Sequence, residues 1–494
     1  MTAAAEPFDV PAHMRAVLAA GESAPAVRSD NGWATWTDLR HAVARLDEEL
    51  TAAGIGEYAP VGVVVRNSFA CYRAIVGLLA TRRTVVCLSA LAPDALLDSE
   101  LGQLELAALA AGPEDVDRPP VAAAQCPLLD LSTLSLSGEP RAYQPTPGVA
   151  VYMLTSGTTG TPTRVALTFA ALAVTVADTR RHLHGTTTLG APAVRTRPAL
   201  IHAPLFHVSG LYRLVDNLVA GRPVVLLGKF DPLPWAQAVH DYEVRADGLN
   251  PTALKMVVDA GIPADMLGSL RAIKCGTAPL PAGTRTAFEQ AYGIPVLTSY
   301  GATEFSGEVA AWTMTDRAQH AQTKAGAVGR VHAGVEARVV EPATGEAVPG
   351  DGVLELRSPR VADGAWVRTN DLARLDEDRF LWILGRADDV IIRGGFKIDP
   401  AEVVEALTSH DAVADAAVVG LADDRLGKVP VAAVVFKDGP APDEDALRAW
   451  CRARLAAYKV PVRIVAMPAL PRNSSLKIAG PELLAVLADR LAAQ

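Results

Sequence analysis

The chain has 494 residues, half of them apolar and a fifth charged, so it can bury a large core and is long enough for more than one domain. Its formal net charge of -9 argues against a nucleic-acid binder and against an anionic membrane surface, although a small anion can still bind in a positive cleft. The five cysteines have no metal-ligand spacing, and no segment resembles a signal peptide or a bilayer span, so we expect a cytoplasmic monomer or homodimer without structural zinc.

The first part of the chain alternates helix-like and strand-like segments. Trp36–Ala53 has apolar residues at helical spacing, and Phe69–Ala80 repeats that pattern. Pro60–Val65 and Thr84–Cys87 are short apolar runs, typical of buried strands. Two further cycles follow, over Ala199–Leu227 and Ala272–Ser299. This βαβ rhythm predicts a mainly parallel sheet, with the alanine- and proline-rich stretch Ala107–Ala124 as a surface loop.

From about Gly326 the strand-like runs become short and are separated by glycine and proline turns, which predicts a small antiparallel β-barrel or sheet. The runs are Ala337–Val340, Val353–Leu356 and Phe380–Ile383. After residue 387, Pro400 begins one predicted helix and Asp443–Ala457 forms another. Two predicted strands lie between them, Ala416–Val419 and Val431–Phe436. We therefore predict an α/β fold with a large N-terminal domain, 1–387, and a smaller α+β C-terminal domain, 388–494.

An apolar strand leads into a loop made of hydroxyl and glycine residues. The loop residues are Thr155, Ser156, Gly157, Thr158, Thr159 and Gly160. Glycines let backbone N–H groups converge on an anion, and hydroxyl groups add donors. It is not a Walker loop, because no Gly-Lys-Ser/Thr follows. On these residues alone, a phosphate-binding loop and a flexible surface turn both remain open.

The segment Thr155–Pro162 resembles the phosphate loop of the adenylate-forming superfamily, which includes acyl- and aryl-CoA ligases, peptide-synthetase adenylation domains and luciferases. The resemblance implies that Thr155 is catalytic and that the rest of the loop binds ATP. The usual loop ends in Pro-Lys-Gly, whereas Thr163 and Arg164 follow Pro162 here. Arg164 is a candidate for the missing charge, shifted by one residue.

A second segment, Ser299–Glu304, is similar to the family's Tyr-Gly-x-Thr-Glu. By resemblance Tyr300 stacks on adenine, Thr303 contacts phosphate and Glu304 binds Mg²⁺, a hard cation that prefers a carboxylate and phosphate oxygens. The segment Gly276–Leu280 resembles the adenine-side loop. The resemblance of these two segments implies further nucleotide contacts at Ser299, Gly301, Thr277, Ala278 and Pro279. The alternative for the second segment is an ordinary turn at a strand end.

The third motif is Thr369–Asp371, where the family has Thr-Gly-Asp. A carboxylate has two acceptor oxygens and suits the two ribose hydroxyls, the role that the resemblance gives Asp371. Ile383 and Arg386 are assigned to the same nucleotide site. Asp388 matches the hinge about which the family's C-terminal domain rotates, so the C-terminal domain is expected to be mobile.

The fourth motif, Leu470–Ile478, resembles Leu-Pro-x-Thr-x-x-Gly-Lys-Ile. By resemblance Lys477 reaches both the reacting carboxylate and the α-phosphate, and joining two anions does need a cation between them. Leu476 replaces the usual glycine. A lone lysine is usually an ordinary surface residue, but four motifs in the family's order, from Thr155 to Ile478, argue against that interpretation.

The segment Pro204–Gly210 bears on the acid substrate. Amino-acid-activating relatives have an aspartate for the substrate ammonium where this chain has His207, so an α-amino acid is disfavoured. Pro-Leu-x-His is similar to benzoate-type CoA ligases, in which the histidine borders the acid pocket and takes part in the reaction. A histidine satisfied within the fold is the alternative. The pocket walls are predicted from mostly small or apolar residues: His207, Gly210, Leu211, Thr252, Lys274, Cys275, Gly276, Gly301 and Phe305.

The glycine turn in Arg393–Ile398 is similar to the turn that lines the pantetheine tunnel in relatives that use coenzyme A. Gly394, Gly395 and Lys397 are the implied contacts, and Arg393 is a candidate for the coenzyme phosphates. A plain β-turn would look the same.

Together these motifs predict ATP- and Mg²⁺-dependent activation of an aromatic or medium apolar acid to acyl-AMP, followed by transfer to coenzyme A. One rival is an enzyme that passes the acyl group to a carrier protein or an amine. Another is a degenerate relative that only binds ligands, although the retention of Glu304, Asp371, Arg386 and Lys477 argues against it.

Overall fold

The computed structural model describes residues 8–154, 164–186, 189–361, 364–387, 390–394, 396–423, 425–472 and 478–492, without the side chains of His184 and Lys397. Its helices are α1 (Val10–Ala20), α2 (Trp36–Ala52), α3 (Phe69–Ala80), α4 (Asp94–Leu101), α5 (Pro119–Ala122), α6 (Phe169–His184), α7 (Val208–Val219), α8 (Pro232–Asp241), α9 (Pro251–Asp259), α10 (Ala282–Tyr292), α11 (Met314–His320), α12 (Pro400–Thr408), α13 (Glu444–Arg452) and α14 (Gly480–Ala492). Short 3₁₀ turns cover Ala264–Leu267, Thr303–Phe305 and Ala457–Lys459. Within these described residues, no helix is long and apolar enough to cross a membrane.

The strands are β1 (Pro25–Ser29), β2 (Gly32–Thr35), β3 (Pro60–Val65), β4 (Thr84–Ser89), β5 (Ala108–Ala111), β6 (Leu128–Asp130), β7 (Ser135–Ser137), β8 (Val149–Leu154), β9 (Arg164–Thr168), β10 (Ala199–Ile201), β11 (Val224–Leu226), β12 (Ala246–Leu249), β13 (Ala272–Cys275), β14 (Val296–Ala302), β15 (Gly307–Ala311), β16 (Gly329–Val331), β17 (Glu336–Val340), β18 (Asp351–Arg357), β19 (Val367–Leu375), β20 (Phe380–Arg386), β21 (Ile391–Arg393), β22 (Phe396–Ile398), β23 (Val413–Asp423), β24 (Gly427–Phe436) and β25 (Arg463–Ala466). They form sheets of four, nine, five and seven strands.

The predicted βαβ units of the first part are confirmed. α2 begins at a capping box in which Thr35 and Asp38 bond each other's backbone N–H, and its apolar stripe is buried against α3. β3 and β4 lie parallel in the seven-stranded sheet, whose order is β7-β6-β5-β3-β4-β8-β9. The predicted unit over 199–227 is the parallel pair β10 and β11 with α7 between them.

The prediction of a surface loop over Ala107–Ala124 was wrong. Ala108–Ala111 is the strand β5, completely buried between β3 and β6, and Pro119–Ala122 is helical. Alanine is common in loops and rare in strands, but a central parallel strand is covered on both faces and accepts small apolar side chains. Burial in the sheet therefore overrides the local composition.

The nine-stranded sheet combines the third predicted βαβ unit with the predicted antiparallel strands. Its order is β12-β13-β14-β15-β16-β20-β19-β18-β17, parallel as far as β14 and antiparallel beyond it. The predicted barrel is corrected: in the described part of the chain these strands do not close, because β14 pairs with β13 on one side and β15 on the other. The antiparallel strands therefore extend the parallel sheet.

The C-terminal part has its own five-stranded sheet and hydrophobic cluster. α12 begins with Asp399 as its N-cap and Pro400 in the first turn, as predicted. The helix predicted over Asp443–Ala457 ends early, at Arg452. The N–H of Arg454 turns back to the carbonyl of Cys451 at 3.0 Å, which tightens the last turn and lets Leu455 pack against the cluster.

Candidate active site

Three predicted nucleotide residues lie together on the nine-stranded sheet. β19 and β20 pair Asp371 with Arg386, whose Nη1 lies 3.9 Å from the carboxylate Oδ1. The hydroxyl of Tyr300 donates to Oδ2 of Asp371, although three strands separate β14 from β19 in the sheet order. Burial and the neighbouring carboxylate raise the pKa of Tyr300, so its hydroxyl remains a donor. Thr369 Oγ1 fixes this turn by accepting the Asp371 N–H at 3.0 Å.

The adenine-side loop lies beside the same strand. A Cβ on Gly276 would stand 2.6 Å from Ser299 Oγ and 3.2 Å from the carbonyl oxygen of Ser299, so any larger residue would have to displace the Ser299 side chain. Thr277 has a positive φ of 73° and begins an exposed turn that also holds Ala278 and Pro279. Ile383 is half-buried against the cluster of the antiparallel strands.

Glu304 lies in the 3₁₀ turn that follows β14, between the half-buried Thr303 and the buried Phe305, and its side chain is exposed. Among the described residues, no group of three His, Cys, Asp or Glu side chains could hold a metal ion. The exposed carboxylate of Glu304 is the kind of ligand that Mg²⁺ prefers, and such an ion would take its other oxygens from nucleotide phosphates and water.

His207 stands at the N-cap of α7, with its backbone extended and its ring tilted against Phe206. Gly210 in the first turn of α7 is required, because a Cβ there would lie 2.1 Å from the carbonyl oxygen of Pro204. Asn67, which belongs to no predicted motif, holds this loop: its Nδ2 donates to Ala203 O at 3.0 Å and its Oδ1 accepts from the backbone N–H of Leu205 at 2.9 Å. Its position directly after the buried strand β3 was the available signal.

Apart from Gly210, which is buried in α7, the predicted wall residues of the acid pocket divide into two groups. Leu211, Cys275 and Phe305 are at most 2% exposed and pack in three different hydrophobic clusters. The partly exposed members are His207, Thr252, Lys274, Gly276 and Gly301. The backbones of β14 and β15 are in close contact at Gly301, where a Cβ would lie 2.2 Å from the carbonyl oxygen of Gly307.

An ionic network that the sequence did not reveal surrounds Lys274. Its Nζ lies 2.9 Å from Glu308 Oε1, and His332 Nε2 lies 3.4 Å from the same oxygen. Arg360 donates to His332 Nδ1 at 3.4 Å and pairs with Asp178 at 2.9 Å. Burial alone would raise the pKa of Glu308, but Lys274 and His332 hold it well below its ordinary value. Glu308 is therefore a carboxylate at neutral pH.

His182 makes the stability of this region depend on pH. Its ring stacks on the ring of His332, with the two ring centroids 4.3 Å apart. Burial is the main cause, and His332 the second, that lowers the pKa of His182 to about 4. An unfolded histidine titrates near 6.5, so the unfolded chain takes up this proton first as the pH falls. The stabilisation of the folded state by neutral His182 is complete above about pH 6.5 and is lost as the pH falls from about 6.5 to about 4. We expect about 2 kcal/mol of the unfolding free energy to disappear between pH 7 and pH 5, at about 1.4 kcal/mol per pH unit.

Urea denaturation at the two pH values measures this loss. His182→Gln should reduce the difference, whereas His240→Gln, which changes an exposed histidine on α8, should leave it as in the wild type. An equal pH dependence in the His182 variant would contradict the assignment.

Two arginines near the predicted phosphate and coenzyme sites already contact other groups of the protein. Arg164, the candidate for the missing loop charge, lies 3.6 Å from Glu100, so its charge is opposed there. Arg393 donates to the carbonyl oxygen of Tyr458 at 2.8 Å, next to Gly394, which has a positive φ of 55°.

Several predicted residues lie outside the described residues: Thr155, Ser156, Gly157, Thr158, Thr159, Gly160, Asp388, Gly395, Lys477 and the side chain of Lys397. Arg472, at the start of the fourth motif, is described. Its Nη1 donates to Thr252 Oγ1 at 3.4 Å, so the C-terminal part of the chain contacts a predicted wall residue of the acid pocket.

Two family models match most of this chain. Residues 14–366 match the family model of the AMP-binding enzyme, and residues 402–477 match that of the AMP-binding enzyme C-terminal domain. The 2-succinylbenzoate–CoA ligase of Geobacillus kaustophilus is 34% identical over 354 residues, which are 68% of this chain and 69% of the relative.

Two solved structures are similar over nearly the whole chain. The o-succinylbenzoate CoA synthetase from Bacillus subtilis, in complex with its acyl-adenylate intermediate, has a TM-score of 0.80 and 25% identity, and covers 96% of this chain and 97% of its own. The same synthetase is known with ATP and magnesium ion. The amide bond synthetase from Marinactinospora thermotolerans has a TM-score of 0.82 and 27% identity, and covers 97% of this chain and 100% of its own.

Proposed function

This chain belongs to the family of AMP-binding enzymes, and from that premise we propose how its residues divide the work among acid, nucleotide and coenzyme A. It is an AMP-forming acid–thiol ligase, which activates an acid with ATP and transfers the acyl group to coenzyme A. The reaction uses ATP, Mg²⁺ and coenzyme A. The observation that carries the residue assignment is the assembly of Tyr300, Asp371 and Arg386 from separate strands.

We assign Asp371 to the ribose hydroxyls, because each of its carboxylate oxygens has two lone pairs and can accept a ribose hydroxyl in addition to its contact with Arg386 or Tyr300. Glu304 would hold Mg²⁺, which offsets phosphate charge when bound. Tyr300 and the turn at Thr277 border the adenine. These residues bind and orient the nucleotide, and positioning contributes much of the rate in such a displacement.

We assign the acid carboxylate to the N-terminal end of α7, beside His207. The first N–H groups of a helix and its macrodipole favour an anion there, and Asn67 fixes the loop that leads to it. The aromatic acid class is supported by the substrate in the relative's name, a succinylbenzoate.

We propose that Lys477 supplies the cation between carboxylate and α-phosphate and that the chain divides at 387/388. After acyl-AMP forms, the C-terminal domain would rotate about Asp388, withdraw Lys477 and present the glycine turn at Gly394 and Gly395 to coenzyme A. The loop Thr155–Gly160 would hold the leaving phosphates.

Pyrophosphate release across a panel of aromatic acids, with and without coenzyme A, tests this function. We expect an acid-dependent release that coenzyme A accelerates, with the acyl thioester detected by mass spectrometry. Release that coenzyme A never accelerates and that yields no thioester would contradict the choice of acceptor.

A second acceptor class is an amine, because the amide bond synthetase is 27% identical over nearly the whole chain. Replacing coenzyme A by a panel of amines in the same assay distinguishes the two classes. A carrier protein is the third acceptor to test.

The five cysteines are free thiols, which supports the cytoplasm as the compartment. A monomer or homodimer is the expected assembly.

A further inference from the structure

Lys274 is the one lysine among the predicted wall residues of the acid pocket, and its ammonium group is paired with the carboxylate of Glu308. Glu308 accepts its hydrogen bond at 2.9 Å. Because Lys274 lies on β13 and Glu308 on β15, the ion pair bridges over β14, the strand that carries Tyr300 and Gly301. The pair therefore borders the residues assigned to nucleotide and acid.

The network is buried at one end and accessible at the other. The side chains of Arg360 and Asp178 are 0% and 5% exposed, whereas those of Lys274 and Glu308 are 30% and 18% exposed. Arg360 also donates to the backbone carbonyl of Glu308, so the buried pair fixes the backbone as well as the His332 ring. Glu308 is held rigidly, and Lys274 is the member that reaches the open side.

The remaining hydrogen-bonding capacity defines the ligand. An ammonium group has three donors, and among the described residues the bond recorded for Lys274 is the one to Glu308. Lys274 and His332 both contact Oε1 of Glu308. The other carboxylate oxygen, Oε2, can therefore accept a hydrogen bond from a ligand. The site thus offers donors and an acceptor side by side, with its charges already balanced.

Three kinds of substituent on the acid would meet this pair differently. An apolar ring edge would desolvate it without replacing the lost hydrogen bonds, and a second carboxylate would add an uncompensated charge. A hydroxyl group accepts from Lys274 and donates to Glu308 without adding charge.

We propose that the Lys274–Glu308 pair is a specificity-determining site, which recognises a hydroxyl group on the aromatic acid, remote from the carboxylate that is activated. The proposal rests on the proposed function in one respect, that Lys274 lines the acid pocket. His332, Arg360 and Asp178 are positioning residues, which act through Glu308.

Calorimetric binding of matched acids tests the proposal without requiring catalysis. Benzoate and cinnamate are compared with their monohydroxylated forms and with the corresponding dicarboxylates. We expect the best hydroxylated acid to bind at least about 10²-fold more tightly than its unsubstituted partner. This is less than the 10⁴–10⁵-fold discrimination of buried sites built for a hydroxyl, because Lys274 is partly exposed. Equal or tighter binding of the unsubstituted acid or the dicarboxylate would overturn the proposal.

Lys274→Met and Glu308→Gln should each reduce this preference to about tenfold or less, with the melting temperature as the check on folding. The glutamine variant keeps the shape of the pair if the methionine variant fails to fold. Lys255→Met is the matched control, because Lys255 pairs with Asp259 at 2.8 Å on the surface of α9, and the preference should not change. A folded Glu308→Gln variant that keeps the full preference for the hydroxylated acid would overturn the proposal.

Hydroxyl-selective binding without pyrophosphate release would contradict the proposed function alone. Pyrophosphate release without selectivity for the hydroxyl group would contradict the specificity site alone.

Discussion

Replacing Lys477 by alanine is expected to slow acyl-AMP formation by about 10²–10³-fold, the effect of removing one pre-organised charge donor from a reacting centre. The carboxylate and the α-phosphate are both anionic, so bringing them together without an intervening cation is opposed by their repulsion. Thioester formation from supplied acyl-AMP should fall much less, since the phosphate bond has already been made. Acid-dependent ATP–pyrophosphate exchange measures the first step, and thioester formation from synthetic acyl-AMP measures the second.

The matched control is Lys437→Ala, which removes an exposed lysine from the same part of the chain and should leave both steps at the wild-type rate. If Lys477→Ala lowered both half-reactions equally, the residue would not act specifically in adenylation. The proposed withdrawal of Lys477 after that step would then have no support.

Asp371→Asn is expected to raise the KM for ATP by about 10- to 100-fold. The asparagine keeps the shape of the side chain but loses the charge and one acceptor oxygen. A hydrogen bond to a charged group contributes about 1.5–3 kcal/mol, and each 1.4 kcal/mol corresponds to a factor of ten. Tyr300 now donates to this carboxylate, so the substitution also loosens a residue assigned to adenine. Initial rates of pyrophosphate release at varied ATP give the KM.

Asp351→Asn controls for the loss of a carboxylate from the same sheet, because Asp351 forms an exposed pair with Arg374 at 2.7 Å. Its KM for ATP should equal that of the wild type. An unchanged KM for ATP in the Asp371 variant would show that Asp371 does not bind the nucleotide. A larger effect on the KM for the acid would show that Asp371 contacts the acid.

The sequence predicts best where the local pattern and the tertiary environment agree. Trp36–Ala53 has helical spacing, a capping box and a buried stripe, and it forms α2. β3 is apolar throughout because it is covered on both faces. The motif residues Tyr300, Asp371 and Arg386 were identified by resemblance, and the sheet brings them together although 71 residues separate the first two.

The two predictions of secondary and sheet structure that were wrong have physical reasons. The strand β5 was missed because Ala108–Ala111 is stabilised by its neighbours in the sheet and has little strand propensity of its own. The antiparallel strands were expected to close, and only the pairing of β14 on both edges shows why they remain open.

The network around Glu308 could not be predicted at all, since Asp178, His332 and Arg360 are far apart in the chain and belong to no motif. Asn67 also belongs to no motif, and its position just after β3 was the only signal in the sequence. Their contacts arise only when distant strands and α6 pack together.

The decisive test of adenylation is acid-dependent exchange of labelled pyrophosphate into ATP, with the panel of aromatic acids and without coenzyme A. This exchange follows the reversible formation of acyl-AMP alone, whatever the final acceptor. We expect exchange that requires both Mg²⁺ and an aromatic acid and that decreases about 10²–10³-fold in Lys477→Ala. Binding of ATP without exchange for any acid of the panel would contradict it.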